Sequence, residues 1–509
     1  MLKKILCLAL CLMMALASVA LAYDGTAPVT EETKTFSILT TNGASLWYDW
    51  DNMVWWQKVL ENANIKLEME LVDSSAYGDV ARPRLAAGVD LPDIIQLPSA
   101  DNDMSYANSG IFLDLAEYFD TLGFNLKQRM EAFPTLKGSL TTPDGGMYYV
   151  PALMPADANM RTVMVNRRYL EQLGMKPEDI TTLDEFTEYA RKVKEGDFNG
   201  NGDATDEVPI FIRSGMIGLF RMYFGIEGEG WYQVEDGTVV CTAIDDRYKE
   251  FLTWAHDAYA DGLIYNEFAS ANYDTQTALF SADQVGSIIH FISNCTGYSQ
   301  TVDPEWKFNV DDPIIVPLAI SGPNTEDKVC WGRAFYGGGG WGITTYCEDP
   351  ETAFAFMDYL HSWDVAVQTW YGTEGIDYEL VDGEFKFNDV YYDNKDNYLT
   401  KMGYNCSALP YSYHLYGSKQ CTQVFAAIED FSQYVVNPTI GYSYKNDDEN
   451  EIINAYSADL NTYFSEQQTA FIMGTRSLDE WDDYVATVKS MGVDEMIAIN
   501  QAAVDRAAE

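Results

Sequence analysis

Residues 164–210 read MVNRRYLEQLGMKPEDITTLDEFTEYARKVKEGDFNGNGDATDEVPI, and the rest of the chain can be placed around this stretch. The segment from Arg167 to Leu173 predicts a short helix, and Gly174 suits the left-handed conformation that often closes one. Thr182 and Glu185 have the spacing of a capping box, which predicts a second helix. A glycine-containing loop follows, and then apolar residues alternate as in a strand.

The loop between the second helix and the strand reads DFNGNGDATDE and resembles the opening of a calcium loop. Hard oxygen donors stand at its first, third and fifth positions, and Gly202 follows for the sharp turn. It departs from an EF-hand because Val208 occupies the twelfth position and a strand follows instead of a helix. We predict one structural calcium ion held by Asp197, Asn199, Asn201 and Asp203 with Asp206 or Glu207. A solvated turn is the alternative, since Asp, Asn and Gly are common turn residues.

The N-terminal residues have the three parts of a secretory signal peptide. Lys3 and Lys4 form a basic start, residues 5–17 are apolar, and the segment Ala20 to Ala22 offers small residues for cleavage. We therefore predict a signal peptide over residues 1–22, export by the general secretory route and an extracellular or periplasmic location. Residues 23–34 are polar and are predicted to form a flexible leader.

Cysteine usage leaves two questions open. Cys7 and Cys11 lie inside the apolar part of the signal, and Leu10 suits the position before a lipidated cysteine poorly, so a released protein is favoured over a lipoprotein. Six cysteines remain after cleavage: Cys241, Cys295, Cys330, Cys347, Cys406 and Cys421. Their even number permits disulfides in an exported protein, and their wide spacing fits buried free thiols equally well.

The chain is strongly acidic. Its formal net charge is −46, and loss of Lys3 and Lys4 with the signal takes it to −48. Such a charge repels nucleic acid and anionic membranes, so neither is expected as a partner. It also argues against a polyanionic ligand unless a local basic pocket overrides it, although acidic surfaces are common solubility devices.

The segment before the 164–210 stretch predicts a sheet. Residues 35–40 and 65–71 have strand patterns, LPDIIQL at 91–97 forms a buried strand, and helices separate the three. This β-α-β-α-β order implies parallel strands with right-handed crossovers. Residues 285–293, 314–321 and 337–345 are predicted strands further along the chain.

Several of these phrases together resemble the extracellular solute-binding protein family 1. The similar phrases are VNRRYLEQLGMKPEDITTLDEF with the calcium loop after it, LPDIIQL, GIFLDL at 110–115, GMYYVP at 146–151 and the ending around FIMGT at 471–475. The resemblance covers nearly the whole mature chain and is to the large, calcium-loop-containing type that binds sugars or oligosaccharides for ABC transporters.

The resemblance implies an α/β, bilobed periplasmic-binding-protein-like fold of type II, with two α/β lobes joined by a hinge. The expected lobe 1 comprises residues 35–153 and 325–385, and the expected lobe 2 comprises residues 154–324 and 386–509 with C-terminal helices. The ligand would lie between the lobes, which close by hinge bending.

A search for catalytic motifs finds none that carries chemistry. Gly337, Gly339 and Gly342 satisfy GxGxxG formally, but a strand follows them where a phosphate-binding loop needs a helix. The four histidines have no ligand spacing with one another, and the chain has no HExxH, Walker or GxSxG motif. A pair of catalytic carboxylates cannot be recognised by inspection among so many acidic residues.

Aromatic residues are the positive signal for a sugar ligand, because flat rings stack on the apolar faces of sugars. They make up 14 % of the chain, with 34 Tyr and 12 Trp. Most belong in a core, and the better candidates lie in loops that follow strands, where open α/β sheets bind ligands. The predicted ligand-binding residues are Trp47, Tyr48, Asp49, Trp50, Asp101, Asn102, Trp331, Arg333, Trp341, Trp370 and Tyr371.

We therefore expect a monomeric, non-enzymatic binding protein that captures an oligosaccharide outside the cell and delivers it to an ABC permease. Calcium would serve as its structural cofactor, and the permease could hold it at the cell surface. An exported carbohydrate-active enzyme and a sensory binding protein that docks on a receptor are the alternatives, which glycan turnover and neighbouring genes would distinguish.

Overall fold

The computed structural model describes residues 23–42, 48–97, 110–132, 136–142, 145–153, 160–227, 230–307, 312–332, 340–393, 398–404, 422–436, 445 and 447–508. The chain divides into two compact units. Unit 1 contains the described residues within Met1–Leu153 and Tyr336–Leu415, and unit 2 contains those within Met154–Phe335 and Tyr416–Glu509.

Strands and helices are numbered in chain order. The strands are β1 (Lys34–Thr41), β2 (Ile65–Val72), β3 (Ile94–Gln96), β4 (Arg161–Asn166), β5 (Tyr232–Glu235), β6 (Thr238–Cys241), β7 (Ser287–Phe291), β8 (Ile315–Leu318), β9 (Ile320–Ser321), β10 (Lys328–Trp331), β11 (Trp341–Ile343), β12 (Tyr378–Val381), β13 (Glu384–Phe387) and β14 (Val435–Val436).

The α-helices up to residue 302 are α1 (Val54–Ala63), α2 (Tyr77–Ala87), α3 (Ala116–Leu122), α4 (Phe124–Ala132), α5 (Leu136–Leu140), α6 (Arg167–Gln172), α7 (Leu183–Lys194), α8 (Asp246–Ala260), α9 (Tyr273–Ser281) and α10 (Asn294–Val302). Those that follow are α11 (Pro350–Leu360), α12 (Trp363–Tyr371), α13 (Asp389–Asp393), α14 (Tyr398–Lys401), α15 (Thr422–Phe431), α16 (Asp447–Ile472), α17 (Trp481–Ser490) and α18 (Val493–Ala508). Short 3₁₀ helices cover Pro177–Asp179, Ile217–Phe224, Thr242–Ile244, Ser432–Tyr434 and Leu478–Glu480. Every helix in the described residues is too short or too polar to span a bilayer.

The sheet of unit 1 has the strand order β11-β3-β1-β2. β1 runs parallel to both β2 and β3, which confirms the predicted β-α-β-α-β arrangement, and β11 runs antiparallel to β3. The carboxyl ends of β1 and β3, at Thr41 and Gln96, therefore lie at one edge of the sheet. Trp341, where β11 begins, pairs with Gln96 at the same edge.

The central strand of unit 2 is β4, which pairs antiparallel with β7, β8 and β10. Its apolar side chains alternate between two cores: Val163 and Val165 belong to one buried cluster and Met164 to another. Both faces of the sheet are thus covered, as an almost continuous apolar strand requires. Because β4 is antiparallel to its partners, Arg161 at its start lies beside Phe291 and Trp331 at the carboxyl ends of β7 and β10.

The predicted helix signals of the 164–210 stretch are confirmed. The Thr182 side chain accepts the backbone N–H of Glu185, the Glu185 side chain accepts the N–H of Thr182, and α7 follows. Gly174 has a φ of 69°, the left-handed value that a glycine adopts without steric cost. Each signal rests on atoms within a few residues, so the chain carries it locally.

The predicted strand that begins at Val208 differs from expectation. Val208, Ile210 and Phe211 each form an isolated bridge, with Val285, Ile264 and Ile288 respectively. The predicted alternation holds only from Ile210 onward, because Ile210 and Ile212 share one core cluster, whereas Val208 belongs with Phe211 to the other. The segment is therefore held by single bridges rather than by a continuous ladder.

The expectation of a flexible leader over residues 23–34 is wrong for the structure. The Tyr23 hydroxyl donates to Asp358 Oδ2 over 2.7 Å, and Asp358 is fully buried on α11. The Tyr23 ring also meets the Phe124 ring edge-on, and the Val29 N–H donates to the Ala63 carbonyl. These contacts with distant residues, which no local pattern shows, pack the segment onto unit 1.

The second segment of unit 1 begins and ends later in the chain than the expected 325–385. β10 pairs with β4 and so belongs to unit 2. Residues beyond 385 contact unit 1, where the Trp55 indole N–H donates to the Met402 carbonyl and the Asp49 N–H to the Lys401 carbonyl. Strand pairing and hydrogen bonds between distant residues thus set the membership of these segments.

Candidate ligand and metal sites

The aromatic loop after β1 is largely packed into unit 1. Trp50 is 7 % exposed, and its indole N–H donates to Asn42 Oδ1 over 2.7 Å. Its ring meets those of Tyr48 and Trp56 edge-on, with centroid distances of 5.7 and 5.9 Å. The structure therefore places Trp50 in the core, with the Tyr48 ring against it.

Tyr48 and Asp49 remain half-buried, so they keep accessible surface at the loop. The Asp49 carboxylate accepts two contacts from Asn52 Nδ2, at 3.0 and 3.2 Å. Such an exposed bond leaves the carboxylate with further lone pairs for hydroxyl donors. The predicted site residues Trp47, Asp101, Asn102 and Arg333 lie outside the described residues.

The remaining predicted aromatics of unit 1 are divided between two places. Trp341 is fully buried on β11, opposite Gln96. Trp370 is 1 % exposed on α12, and Tyr371 packs its ring 4.2 Å from that of Phe385 in the β12–β13 hairpin. Tyr371 thus belongs to an aromatic cluster at the hairpin, Trp370 is buried on α12, and Trp341 lies at the strand edge that the ligand argument requires.

Trp331 lies in unit 2 and takes part in a stacked arrangement. The guanidinium carbon of Arg161 is 4.2 Å from the ring centroid of Trp331 and 4.2 Å from that of Phe291. A guanidinium over an aromatic face is attracted by the ring quadrupole. One face of the Trp331 ring is therefore already occupied by a cation, at an edge where strands β7 and β10 end.

His290, the residue before Phe291, adds a buried polar group near the same edge. The side-chain nitrogen of Asn294 lies 2.6 Å from His290 Nδ1, and Nε2 has no hydrogen-bond partner among the described residues. Burial, with the nearby cations Arg213 and Arg161, lowers the pKa of His290 to about 3. The imidazole is therefore neutral near pH 7. The sequence analysis did not name Arg161 or His290 as candidate site residues. Their positions at the ends of strands could have indicated them.

Asp197 organises the acidic loop that carries the predicted metal ligands. Its Oδ1 accepts the N–H groups of Gly200 and Asn201, at 2.8 and 3.2 Å, and its Oδ2 accepts that of Gly202 at 2.8 Å. Gly200 and Gly202 have φ values of 73° and 90°, in the region that disfavours side chains. The chain thus wraps around the first acidic residue, as the predicted turn glycine requires.

Two carboxylate oxygens of this loop are buried without a hydrogen-bond partner among the described residues, namely Asp206 Oδ1 and Glu207 Oε2. The other oxygen of each is engaged: Asp206 Oδ2 accepts from Asn201 Nδ2 at 2.6 Å, and Glu207 Oε1 accepts the Phe198 N–H at 2.6 Å. Burying an unpaired charged oxygen is costly, so these two atoms fit a bound cation. Carboxylate and amide oxygens are the donors that Ca²⁺ takes.

The donor set is not gathered into a completed coordination shell. Within the described ranges, no three Asp, Glu, His or Cys side chains come together at metal-binding distance. Asp203 Oδ1 accepts the N–H and the hydroxyl of Thr205, at 3.0 and 2.6 Å, and so closes a local turn. The residues therefore fit calcium in their chemistry and in the unpaired oxygens of Asp206 and Glu207, but they are not arranged as a coordination shell.

The acidic loop also ties several elements of unit 2 together. The Phe198 ring stacks on that of Tyr169 in α6 at 4.9 Å, and Gln172 Nε2 donates to the Phe198 carbonyl at 2.8 Å. At the other end of the loop, Asp206 accepts a bond from Gln284, three residues before β7. A cation bound here would therefore brace α6 against the start of β7.

Comparison with known proteins gives consistent matches. The model of the family described as bacterial extracellular solute-binding protein matches residues 39–365. The fructooligosaccharide ABC transporter substrate-binding protein FusA of Streptococcus pneumoniae is 24 % identical over 467 residues, which cover 81 % of this chain and 79 % of that protein. Lipoprotein LipO of Bacillus subtilis is 24 % identical, with 86 % of each chain covered.

Solved structures show the same fold. A structure of the alginate-binding protein AlgQ2 without calcium ion has a TM-score of 0.73 and 21 % identity, covering 94 % of this chain and 99 % of that one. A structure of FusA in complex with kestose has a TM-score of 0.73 and 20 % identity, covering 93 % and 99 %. The predicted fold class, an α/β periplasmic-binding-protein-like fold of type II with two lobes, is therefore confirmed.

Proposed function

Because the chain belongs to the bacterial extracellular solute-binding protein family, we propose that it binds an oligosaccharide outside the cell and delivers it to an ABC importer. The observation that carries this proposal is the match to FusA, which spans four-fifths of both chains. The aromatic content supports it, because flat rings suit the apolar faces of sugars. The net charge of −46 favours a neutral oligosaccharide over a polyanionic one.

The test is titration calorimetry with a small panel of glycans. Kestose, nystose and Man5GlcNAc are the neutral members, and an alginate trisaccharide is the anionic control. We expect at least one neutral glycan to bind and the alginate trisaccharide to bind more weakly or not at all. Absence of binding by every neutral glycan would contradict the proposal.

We further propose that ligand contacts come from residues at the carboxyl ends of the strands, including the predicted residues in the loop after β1. Tyr48 and Asp49 keep accessible surface there, and Trp47 precedes them directly. The variant Trp47→Ala should lose affinity by roughly 1–3 kcal/mol, the scale of a buried aromatic contact. An unchanged affinity would remove Trp47 from the site.

Calcium is proposed as a structural cofactor in the acidic loop. Asp197, Asn199, Asn201, Asp206 and Glu207 would hold it, with Asp203 contributing at the seventh position. A bound calcium ion would supply positive charge for the unpaired oxygens of Asp206 and Glu207. Two relatives support a metal in this family by their descriptions, one as AlgQ2 without calcium ion and one as an EF-hand mutant of FusA.

The remaining proposals concern export and chemistry. We propose cleavage after Ala22, a monomeric product without a lipid, and delivery of ligand to permease subunits without any catalysed reaction. N-terminal sequencing and intact mass of the secreted protein should give Tyr23 as the first residue. A diacylated cysteine at the N-terminus would contradict release, and chromatographic detection of shortened kestose would contradict the absence of catalysis.

A further inference from the structure

Gln96 stands at a place in unit 1 where open α/β sheets take ligands. It is the last residue of β3, and β3 is the parallel neighbour of β1 on the side opposite β2. The chain therefore passes from β1 to β2 on one side of β1 and returns from β2 to β3 on its other side. Such a switch point, beyond the carboxyl ends of two adjacent strands, forms a crevice for ligands.

The side-chain amide of Gln96 is held in one orientation by β1. Its Oε1 accepts the hydroxyl of Thr40 at 2.6 Å, the backbone N–H of Thr41 at 2.9 Å and the hydroxyl of Thr41 at 3.1 Å. A backbone N–H can only donate, so the amide atom that faces Thr41 must be the oxygen. The hydrogen-bond network therefore fixes the orientation of the amide.

The opposite side of the same amide is unused. Gln96 Nε2 carries two N–H donors, and within the described part of the chain no hydrogen bond from them is found. Gln96 as a whole is only 5 % exposed, yet Nε2 is not among the described atoms that are buried without a partner, so this nitrogen keeps access to the surface of unit 1. A ligand oxygen at this surface would therefore meet two N–H donors that no described acceptor engages.

An aromatic neighbour completes the surroundings. Trp341 on β11 is the direct cross-strand partner of Gln96, and cross-strand partners project from the same face of a sheet. The Trp341 ring is fully buried, so it offers no open face to a sugar and serves as an apolar neighbour of the amide. The edge also adjoins the loop that contains Tyr48 and Asp49.

We infer that Gln96 is a specificity-determining residue of the ligand site, where its Nε2–H groups donate to hydroxyl or ring oxygens of a neutral sugar. This inference rests on the proposed function, because the acceptor is an oligosaccharide oxygen. Because Oε1 already accepts three hydrogen bonds, Gln96 can donate hydrogen bonds to acceptors in the ligand but cannot accept them from donors.

A purely structural role for Gln96, as a pin between β1 and β3, makes a different prediction. The structural role, in which Gln96 links β3 to β1, needs only Oε1, whereas a hydrogen bond to the ligand needs Nε2. The substitution Gln96→Glu keeps an oxygen toward Thr40 and Thr41 and replaces the outward NH₂ by a second acceptor. The substitution Thr41→Val does the reverse, because it removes one bond on the pinned side and leaves Nε2 intact.

The experiment measures affinity and melting for wild type, Gln96→Glu and Thr41→Val, with kestose, nystose and Man5GlcNAc as probes. We expect Gln96→Glu to melt close to wild type and to bind its glycan at least tenfold more weakly at pH 7.5. The deficit should shrink toward pH 5, because protonation of the introduced carboxyl restores one O–H donor. Thr41→Val should bind the glycan within about twofold of the wild-type affinity, because the hydrogen bond that it removes does not involve the ligand.

Each other outcome is decisive. If wild type binds a glycan and Gln96→Glu binds it equally well, Gln96 is only a pin and the assignment fails while the proposed function stands. If wild type binds none of the three glycans, the proposed function and this assignment fail together. Should Gln96→Glu not fold, Gln96→Met tests the same loss of Nε2, and equal affinity of that variant would again overturn the assignment.

Discussion

Removal of the negative charge of Glu207 should have opposite effects with and without calcium. Glu207 is 9 % exposed, and its Oε2 has no hydrogen-bond partner among the described residues. Without metal, this charged oxygen is buried and unpaired, and a neutral amide in its place costs less. We expect metal-free Glu207→Gln to be more stable than metal-free wild type by roughly 1 kcal/mol.

Calcium should reverse the order of the two proteins. An ion that binds only the folded state at about 100 times its dissociation constant adds about 2.7 kcal/mol to the free energy of unfolding. For a domain of about 150–250 residues, 1 kcal/mol shifts Tm by roughly 2–4 °C, and unit 2 is slightly larger than this range. Wild type should therefore gain roughly 5–10 °C from calcium, and Glu207→Gln should gain little.

The assay is thermal melting, monitored by tryptophan fluorescence. One sample contains 1 mM calcium chloride, which is about 100 times the expected dissociation constant, and the other contains excess chelator and is free of metal. Glu188→Gln is the matched control, since its carboxylate is exposed on α7 outside the loop. That control should keep the full calcium response. Magnesium chloride at the same concentration separates specific binding from screening of the net charge of −46.

Two results would refute the reasoning. Equal melting of wild type in calcium and in chelator, with no metal by elemental analysis, would show that the loop is only a turn. A full calcium response in Glu207→Gln would place the ion elsewhere. Ligand affinity should change little in either condition, because the proposed role of the ion is structural.

Three further predictions follow from buried groups. Tyr23→Phe removes a hydroxyl donor to the buried Asp358 and should lower the free energy of unfolding, measured by chemical denaturation, by about 1–3 kcal/mol. The control Tyr273→Phe, at a 65 % exposed site, should leave the free energy of unfolding unchanged. Equal effects of the two substitutions would show that Tyr23 is not anchored. Trp50→Ala empties a packed ring position and should cost roughly 3–5 kcal/mol, so a folded, stable variant with lost affinity would contradict its place in the core. The pKa of His290 is lowered to about 3, so its native state stays neutral while the unfolded chain takes up a proton below about pH 6.5. The stability that the neutral His290 contributes is therefore present above that pH and is lost as pH falls. The difference in unfolding free energy between wild type and His290→Gln should drop by about 2 kcal/mol from pH 7 to pH 5. A constant difference would refute the burial of a neutral imidazole.

The sequence by itself determined those features whose atoms lie close together in the chain. The capping box of Thr182 and Glu185 and the left-handed Gly174 were recognisable because their hydrogen bonds and steric limits span only a few residues. The parallel pairing of β1 with β2 and β3 followed from the order of strands and helices, since the handedness of crossovers leaves few arrangements. The loop around Asp197 was recognisable from its spacing for the same reason.

Only the tertiary structure decided which side chains the fold leaves available. Trp50, Trp341 and Trp370 looked like ligand residues in the sequence, yet their rings are buried by contacts with distant segments. Tyr23 was predicted to lie in a flexible leader, but its hydroxyl donates a hydrogen bond to Asp358, 335 residues further along the chain. Burial and the saturation of a polar atom depend on what packs around it, which is why the outward N–H groups of Gln96 could be recognised only once β1 had been placed beside β3.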